Sequence, residues 1–68
     1  MNGMRFKKEI IEKIRKVVKE KKELTISELS REIGISRLTA YKYVLKMQSD
    51  GELETKRIGN YVLVMVRK

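Results

Sequence analysis

Residues 26–51 read ISELSREIGISRLTAYKYVLKMQSDG, and the spacing within this stretch decides the architecture. Leu29 and Ile33 recur at helical spacing behind Ser27, which is placed to cap a helix over 27–33, and Gly34 follows as its C-terminal stop. Ser36 offers a second N-cap just beyond. Ala40, Val44 and Met47 then resume the period until Asp50-Gly51 ends it, which predicts a helix over 36–50. The turn Gly34-Ile35-Ser36 is too short to let the two helices separate. They must cross with their apolar faces on one core, and Ile35 is placed to plug the junction.

Toward the N-terminus, Phe6, Ile10, Ile14 and Val17 predict a helix over 4–23. Ile11 and Val18 widen its apolar stripe into a second row, more than a helix in a small monomer needs, and this row predicts a contact surface for another chain. The Glu9-Lys13 and Glu12-Lys16 spacings support the helix by roughly a few tenths of a kcal/mol each. Lys21-Lys22-Glu23 reads as a polar link, and Leu24-Thr25-Ile26 as a short β-prone segment over 24–26. Beyond the central stretch, residues 51–55 and 61–66 are strand-like and flank Lys56-Arg57-Ile58-Gly59-Asn60, which predicts a hairpin over 52–67 turned by Gly59 and Asn60.

With these elements placed, the segment Ser36-Arg37-Leu38-Thr39-Ala40-Tyr41-Lys42 resembles the Ser-Arg-x-Thr-apolar-Tyr-basic opening of a recognition helix in winged helix-turn-helix proteins. The resemblance runs over roughly residues 6–67 and is closest to small single-domain transcription regulators of archaeal or archaeal-virus type. It implies an α+β fold of order α-β-α-α-β-β, three helices plus a C-terminal β-hairpin wing, as a single domain over residues 1–68. It also implies that 24–26 joins the hairpin as a third strand.

Composition narrows the function. The 68 residues include no cysteine, histidine or proline, so disulfides and ordinary zinc sites are excluded, and neither a cofactor nor a small-molecule effector site is expected. No apolar run approaches the roughly 20 residues needed to span a bilayer, and the N-terminus lacks a signal-like stretch, so a cytoplasmic, nucleoid-associated protein is expected. Seventeen basic against nine acidic side chains give +8, the balance of a protein with a polyanionic partner. The charge is uneven: residues 24–35 carry −1, whereas 36–50 and 51–68 each carry +2. Lys, Glu, Ile and Val richness resembles the composition of hyperthermophile proteins. Without His or Cys, and with carboxylates scattered at helix-pairing distances, an enzyme is not expected.

The expected partner is double-stranded DNA. On the helix over 36–50, Leu38, Lys42, Leu45 and Ser49 lie opposite the apolar face, and the N-terminal half of such a helix lies deepest in the major groove. Ser36, Arg37, Leu38, Thr39, Tyr41 and Lys42 form the expected contact set. Arg37 and Lys42 can reach guanine or phosphate, Thr39 a base edge, and Leu38 a thymine methyl; Ser36 and the helix N-terminus can hold a phosphate. The resemblance implies a sugar-phosphate contact for Tyr41. Lys46 is expected to reach phosphate only. Tyr43 reads as the edge of the core. In the wing, Lys56, Arg57 and Asn60 are expected over the adjacent backbone or minor groove.

Two features depart from a simple DNA reader. Leu38 and Leu45 stack on the face that should meet DNA, as either thymine-methyl readers or protein anchors. The last strand is apolar on both faces, Tyr61, Leu63 and Met65 one way and Val62, Val64 and Val66 the other. With the wide stripe on the first helix, this suggests a homodimer through residues 4–18, strand 61–66 or both, and so a pseudo-palindromic site. The competing functions are a protein-interaction module of a nucleic-acid-processing complex and a nonspecific architectural DNA- or RNA-binding protein.

Overall fold

The computed structural model describes residues 5–68. Three helices, α1 (Lys8–Lys21), α2 (Ile26–Ile33) and α3 (Arg37–Ser49), precede a hairpin of β2 (Leu53–Ile58) and β3 (Tyr61–Val66), while β1 (Glu23–Thr25) lies between α1 and α2. This is the expected α-β-α-α-β-β order. Of the helix expected over 4–23, residue 4 lies outside the described residues, Arg5, Phe6 and Lys7 are not helical, and α1 runs from Lys8 to Lys21.

The boundary between β1 and α2 differs from the sequence reading for a chemical reason. Thr25, not Ser27, caps α2: its hydroxyl accepts from the Glu28 N–H, and the Glu28 carboxylate accepts from the Thr25 N–H at 2.8 Å. Thr25-x-x-Glu28 is a capping box, which satisfies two otherwise unpartnered N–H groups at once; Ser27 has no acidic or amide residue three positions later with which to do the same. Gly34 ends α2 at φ 85°, where its lack of a side chain permits the left-handed turn. Ser36 caps α3 as expected, accepting from the Thr39 N–H at 3.1 Å.

The three strands form an antiparallel sheet of order β1-β3-β2. Leu24 pairs with Val64 and Leu53 with Val66, and Leu24, Leu53 and Val64 face inward on Ile14, Val18, Leu29, Tyr43, Val44 and Met47. At roughly 1.5–3 kcal/mol for each large apolar side chain removed from water, this cluster is what holds the helices on the sheet. The wing turn differs in one detail: positive φ occurs at Gly59 alone, the first loop residue, where a II′ hairpin requires it, and not at Asn60.

The two apolar surfaces expected to meet a second chain differ in the fold. Val18 on α1 is fully buried and Ile11 packs on the core, because α1 touches α2 along one side and β1 and β3 along another. The second apolar row is therefore taken up within the chain, contrary to the sequence reading. Nor do the Glu9-Lys13 and Glu12-Lys16 spacings close; among the described residues the ion pairs are Arg15–Glu52 and Lys46–Asp50, each 2.8 Å. The outward face of β3 remains open. Leu63 and Met65 are half-buried and Tyr61 is exposed, and the register places Thr25, Lys56, Glu23, Glu54 and Ile58 on the same face.

Candidate functional site

Ala40, Val44 and Met47 are fully buried and clamp α3 on the core, so the opposite side of the helix must face outward. Tyr43 belongs to the clamp: only 3% exposed, it meets the Phe6 ring edge-on at 5.1 Å, and its hydroxyl accepts from the Lys7 N–H at 2.8 Å. The expectation that it closes the core edge holds. The outward ridge is then Leu38, Lys42, Leu45 and Ser49, all exposed, with Leu38 at 64%.

Between the N-terminal half of α3 and the wing lies an open cleft of about 500 Å³. Arg37, Leu38 and Tyr41 line it from α3, Arg57, Asn60, Tyr61 and Val62 from the wing, and Ile26 and Ser27 from the start of α2. No carboxylate is among these residues. Arg37 leans across the turn, donating from Nη1 to Ser27 Oγ at 3.3 Å. The sequence does not place Ser27 or Tyr61 on this surface, because Ser27 reads as a cap and Tyr61 as part of an apolar strand face; only the fold brings both to the cleft that Arg37 lines.

Arg37 stands as the first residue of α3, and the first turn of that helix holds no acidic side chain, whereas α1 has Glu9 and α2 has Glu28 in theirs. A cation at the positive end of a helix is unfavourable by about 0.3–1 kcal/mol. An anion placed there relieves both the dipole and the guanidinium.

The remaining expected residues are placed as follows. Ser36 and Thr39 are tied to each other, the Ser36 hydroxyl donating to Thr39 Oγ1 at 2.9 Å. Lys42 is exposed on the ridge beyond the cleft. Lys46 is turned away: its Nζ pairs with Asp50 at 2.8 Å and sits 5.7 Å over the Phe6 ring. Strand alternation puts Lys56 and Arg57 on opposite faces of β2, so Arg57 lines the cleft with Val62 while Lys56 shares the outer face with Leu63. The structure thus brings Arg37, Leu38, Tyr41, Arg57 and Asn60 together and leaves Lys46 and Lys56 apart from them. Among the described residues no cluster of three or more aspartates or glutamates could hold a metal ion, and no helix is long and apolar enough to cross a membrane.

Comparison with known proteins agrees with this architecture. The family described as HTH domain matches residues 11–63. No curated protein sequence matches significantly. Among solved structures, that of the AntR antimony-specific transcriptional repressor is similar, with a TM-score of 0.75 at 12% identity, over 82% of this chain and 50% of that one. The chain spans about half the length of that repressor, and the likeness is one of fold: three helices and a hairpin wing.

Proposed function

The chain belongs to the helix-turn-helix domain family, and from that premise we propose that it is a sequence-specific regulator of transcription. It lays α3 in the major groove of duplex DNA and sets its wing on the adjacent backbone or minor groove. The observation that carries this reading is the carboxylate-free cleft in which Arg37 of α3 and Arg57 of the wing converge. That spacing of cations across a concave surface suits a phosphate strand passing between the two grooves.

In this arrangement Arg37, with the Ser36 end of α3, meets phosphate, and Arg57, Asn60 and Tyr41 hold the same strand from the wing side. Leu38, Thr39 and Lys42 face the bases; Lys56 and Lys46 add charge from the periphery. Regulation follows from occupancy of the site, in the cytoplasm where the nucleoid lies. The outer face of β3, with the half-buried Leu63 and Met65, supports a homodimer and hence a pseudo-palindromic target. A second reading, a protein-interaction module, is favoured by one observation: Leu38 and Leu45 are 64% and 44% exposed on a single ridge.

Selection from a random duplex library at near-physiological salt tests the proposal. An enriched motif whose affinity greatly exceeds that for scrambled DNA is the expected result. Binding without enrichment and with a steep salt dependence would point to an architectural role, and no binding at all to the interaction module.

A further inference from the structure

The groove-facing ridge of α3 carries an unusual set of chemistries for base reading, and we infer from it that Leu38 selects a thymine through its 5-methyl group, next to a guanine read by Lys42. This inference rests on the proposed DNA-binding function and adds the identity of the bases.

Few side chains of α3 are free to read a base. Reading adenine in the major groove calls for a carboxamide, and reading cytosine for a carboxylate. The only carboxamide on α3, Gln48, is turned to the sheet, where its Oε1 accepts from Thr55 Oγ1 at 3.0 Å. Asp50, the residue that closes the helix, is held by Lys46. No free carboxylate or carboxamide remains on the ridge; its one hydroxyl, Ser49, stands at the far end of the helix, and the Thr39 hydroxyl beside it is tied to Ser36, and a hydroxyl does not by itself choose between these bases. What remains is a cation, Lys42, which matches the two acceptors of guanine, and an aliphatic side chain, Leu38, which matches the one apolar group the major groove offers.

Position agrees with chemistry. Leu38 lies in the first turn of α3, the part that enters a groove most deeply, and is the most exposed apolar residue of the helix. It is bordered by Arg37 and Tyr41 in a cleft without carboxylates. Ile26, Val62 and two tyrosines line the same cleft and Leu45 lies two turns further along the ridge, but Arg37 and Arg57 share the cleft with Leu38, a setting that suits a methyl contact between phosphate strands. Lys42 follows Leu38 by one helical turn, about 6 Å along the axis, so the two bases fall within about two base pairs of each other.

The test uses the whole chain and the duplex recovered by selection. Each thymine of the motif is replaced in turn by uracil, which removes only the methyl, and binding is followed by fluorescence anisotropy for the wild type and Leu38→Ala. At one thymine the wild type should bind the uracil duplex about fourfold more weakly, the effect of one buried methyl. Leu38→Ala should bind thymine and uracil duplexes alike at that position, with an unchanged melting temperature because the side chain is exposed. Equal wild-type affinity for every uracil duplex, or a thymine preference that survives in Leu38→Ala, overturns the inference while leaving DNA binding intact. Failure to recover any motif instead removes the regulator reading on which it rests, and the two failures are thereby told apart.

Discussion

Arg37 of α3 donates a hydrogen bond from Nη1 to Ser27 Oγ of α2 at 3.3 Å, spanning the turn that joins the two helices. The contact is long and exposed, so it contributes little to stability. Its effect is to hold a guanidinium over the cleft at the positive end of α3, where the fold itself disfavours a cation.

Replacing Arg37 by alanine should therefore divide stability from binding. Affinity for cognate and random duplexes is expected to fall alike, with the slope of log affinity against log salt reduced by about 1, as for loss of a phosphate contact. The melting temperature should hold or rise slightly, since the unfavourable charge at the helix start is gone. Anisotropy titration and thermal melting of the same sample decide it; a fall in both would mean that Arg37 is a structural residue.

The wing offers an internal control. Arg57 lines the cleft and Lys56, its chain neighbour, does not. Arg57→Ala is expected to weaken cognate and random duplexes alike and to reduce the slope of log affinity against log salt by about 1. Lys56→Ala should change the slope much less. Equal effects in salt titrations would show that the strand passes over the wing tip and not through the cleft.

How far these residues could be told apart from sequence depends on what distinguishes them. The helix pair was legible because Gly34 and Ser36 punctuate it and Ala40, Val44 and Met47 keep one period, all local signals. Lys56 and Arg57 are adjacent and chemically alike, and only the register of β2 on β3 assigns them to opposite faces. Lys46 reads as a phosphate-reaching cation until Phe6, forty residues earlier in the chain, is seen beneath its ammonium group. The second apolar row of α1 could not be distinguished from a dimer surface, since helical spacing says that Val18 is covered but not by what. The Thr25-x-x-Glu28 box, by contrast, is legible in the sequence, since of the two cap-capable residues only Thr25 has a glutamate three positions on.

That box makes a stability prediction. Thr25→Ala removes the acceptor for the Glu28 N–H at the start of α2 and is expected to destabilise the domain by about 1 kcal/mol. Ser27→Ala lies inside the helix, where alanine is the better helix former, and should cost little or nothing by that route. Urea denaturation of both variants discriminates the two capping assignments, and a larger loss for Ser27→Ala would reverse them.

The same box is acid-sensitive. The Thr25 N–H holds the Glu28 carboxyl below its ordinary range, with the Thr25 hydroxyl and the nearby Arg31 and Lys21 acting in the same direction. A carboxyl whose folded pKa is depressed adds stability that is fully present above its unfolded pKa and is lost as pH falls through the folded value. Glu28→Gln keeps an acceptor for the box but not the charge. The wild type should thus exceed Glu28→Gln in stability at neutral pH, and the difference should shrink as acid protonates the carboxylate. Denaturation midpoints measured in parallel from neutral to acid pH test the sign; a difference that grows toward acid would contradict it.

The outward face of the sheet bears on how the chain assembles. Tyr61, Leu63 and Met65 follow one another on the central strand, and Ile58 extends the apolar stripe across the register at Tyr61. The neighbouring charges are polarised along the strands: Glu23 and Glu54 flank Met65 at one end, and Lys56 lies beside Leu63 toward the other. A two-fold axis crossing β3 between Leu63 and Met65 would set Lys56 of one copy against Glu54 of its mate, a self-complementary pairing of the kind an isologous contact requires. Four apolar side chains are few beside the roughly 20–30 residues a side of a standard interface, so the free chain should dimerise weakly and DNA with two half-sites should strengthen the pairing. Sedimentation at rising concentration should show the 8.0 kDa chain shifting toward twice its mass. Leu63→Glu, on an open face and away from the core cluster, should abolish that shift while leaving the fold and the affinity for a single half-site intact. Persistence of the dimer in Leu63→Glu would place the contact elsewhere on the molecule.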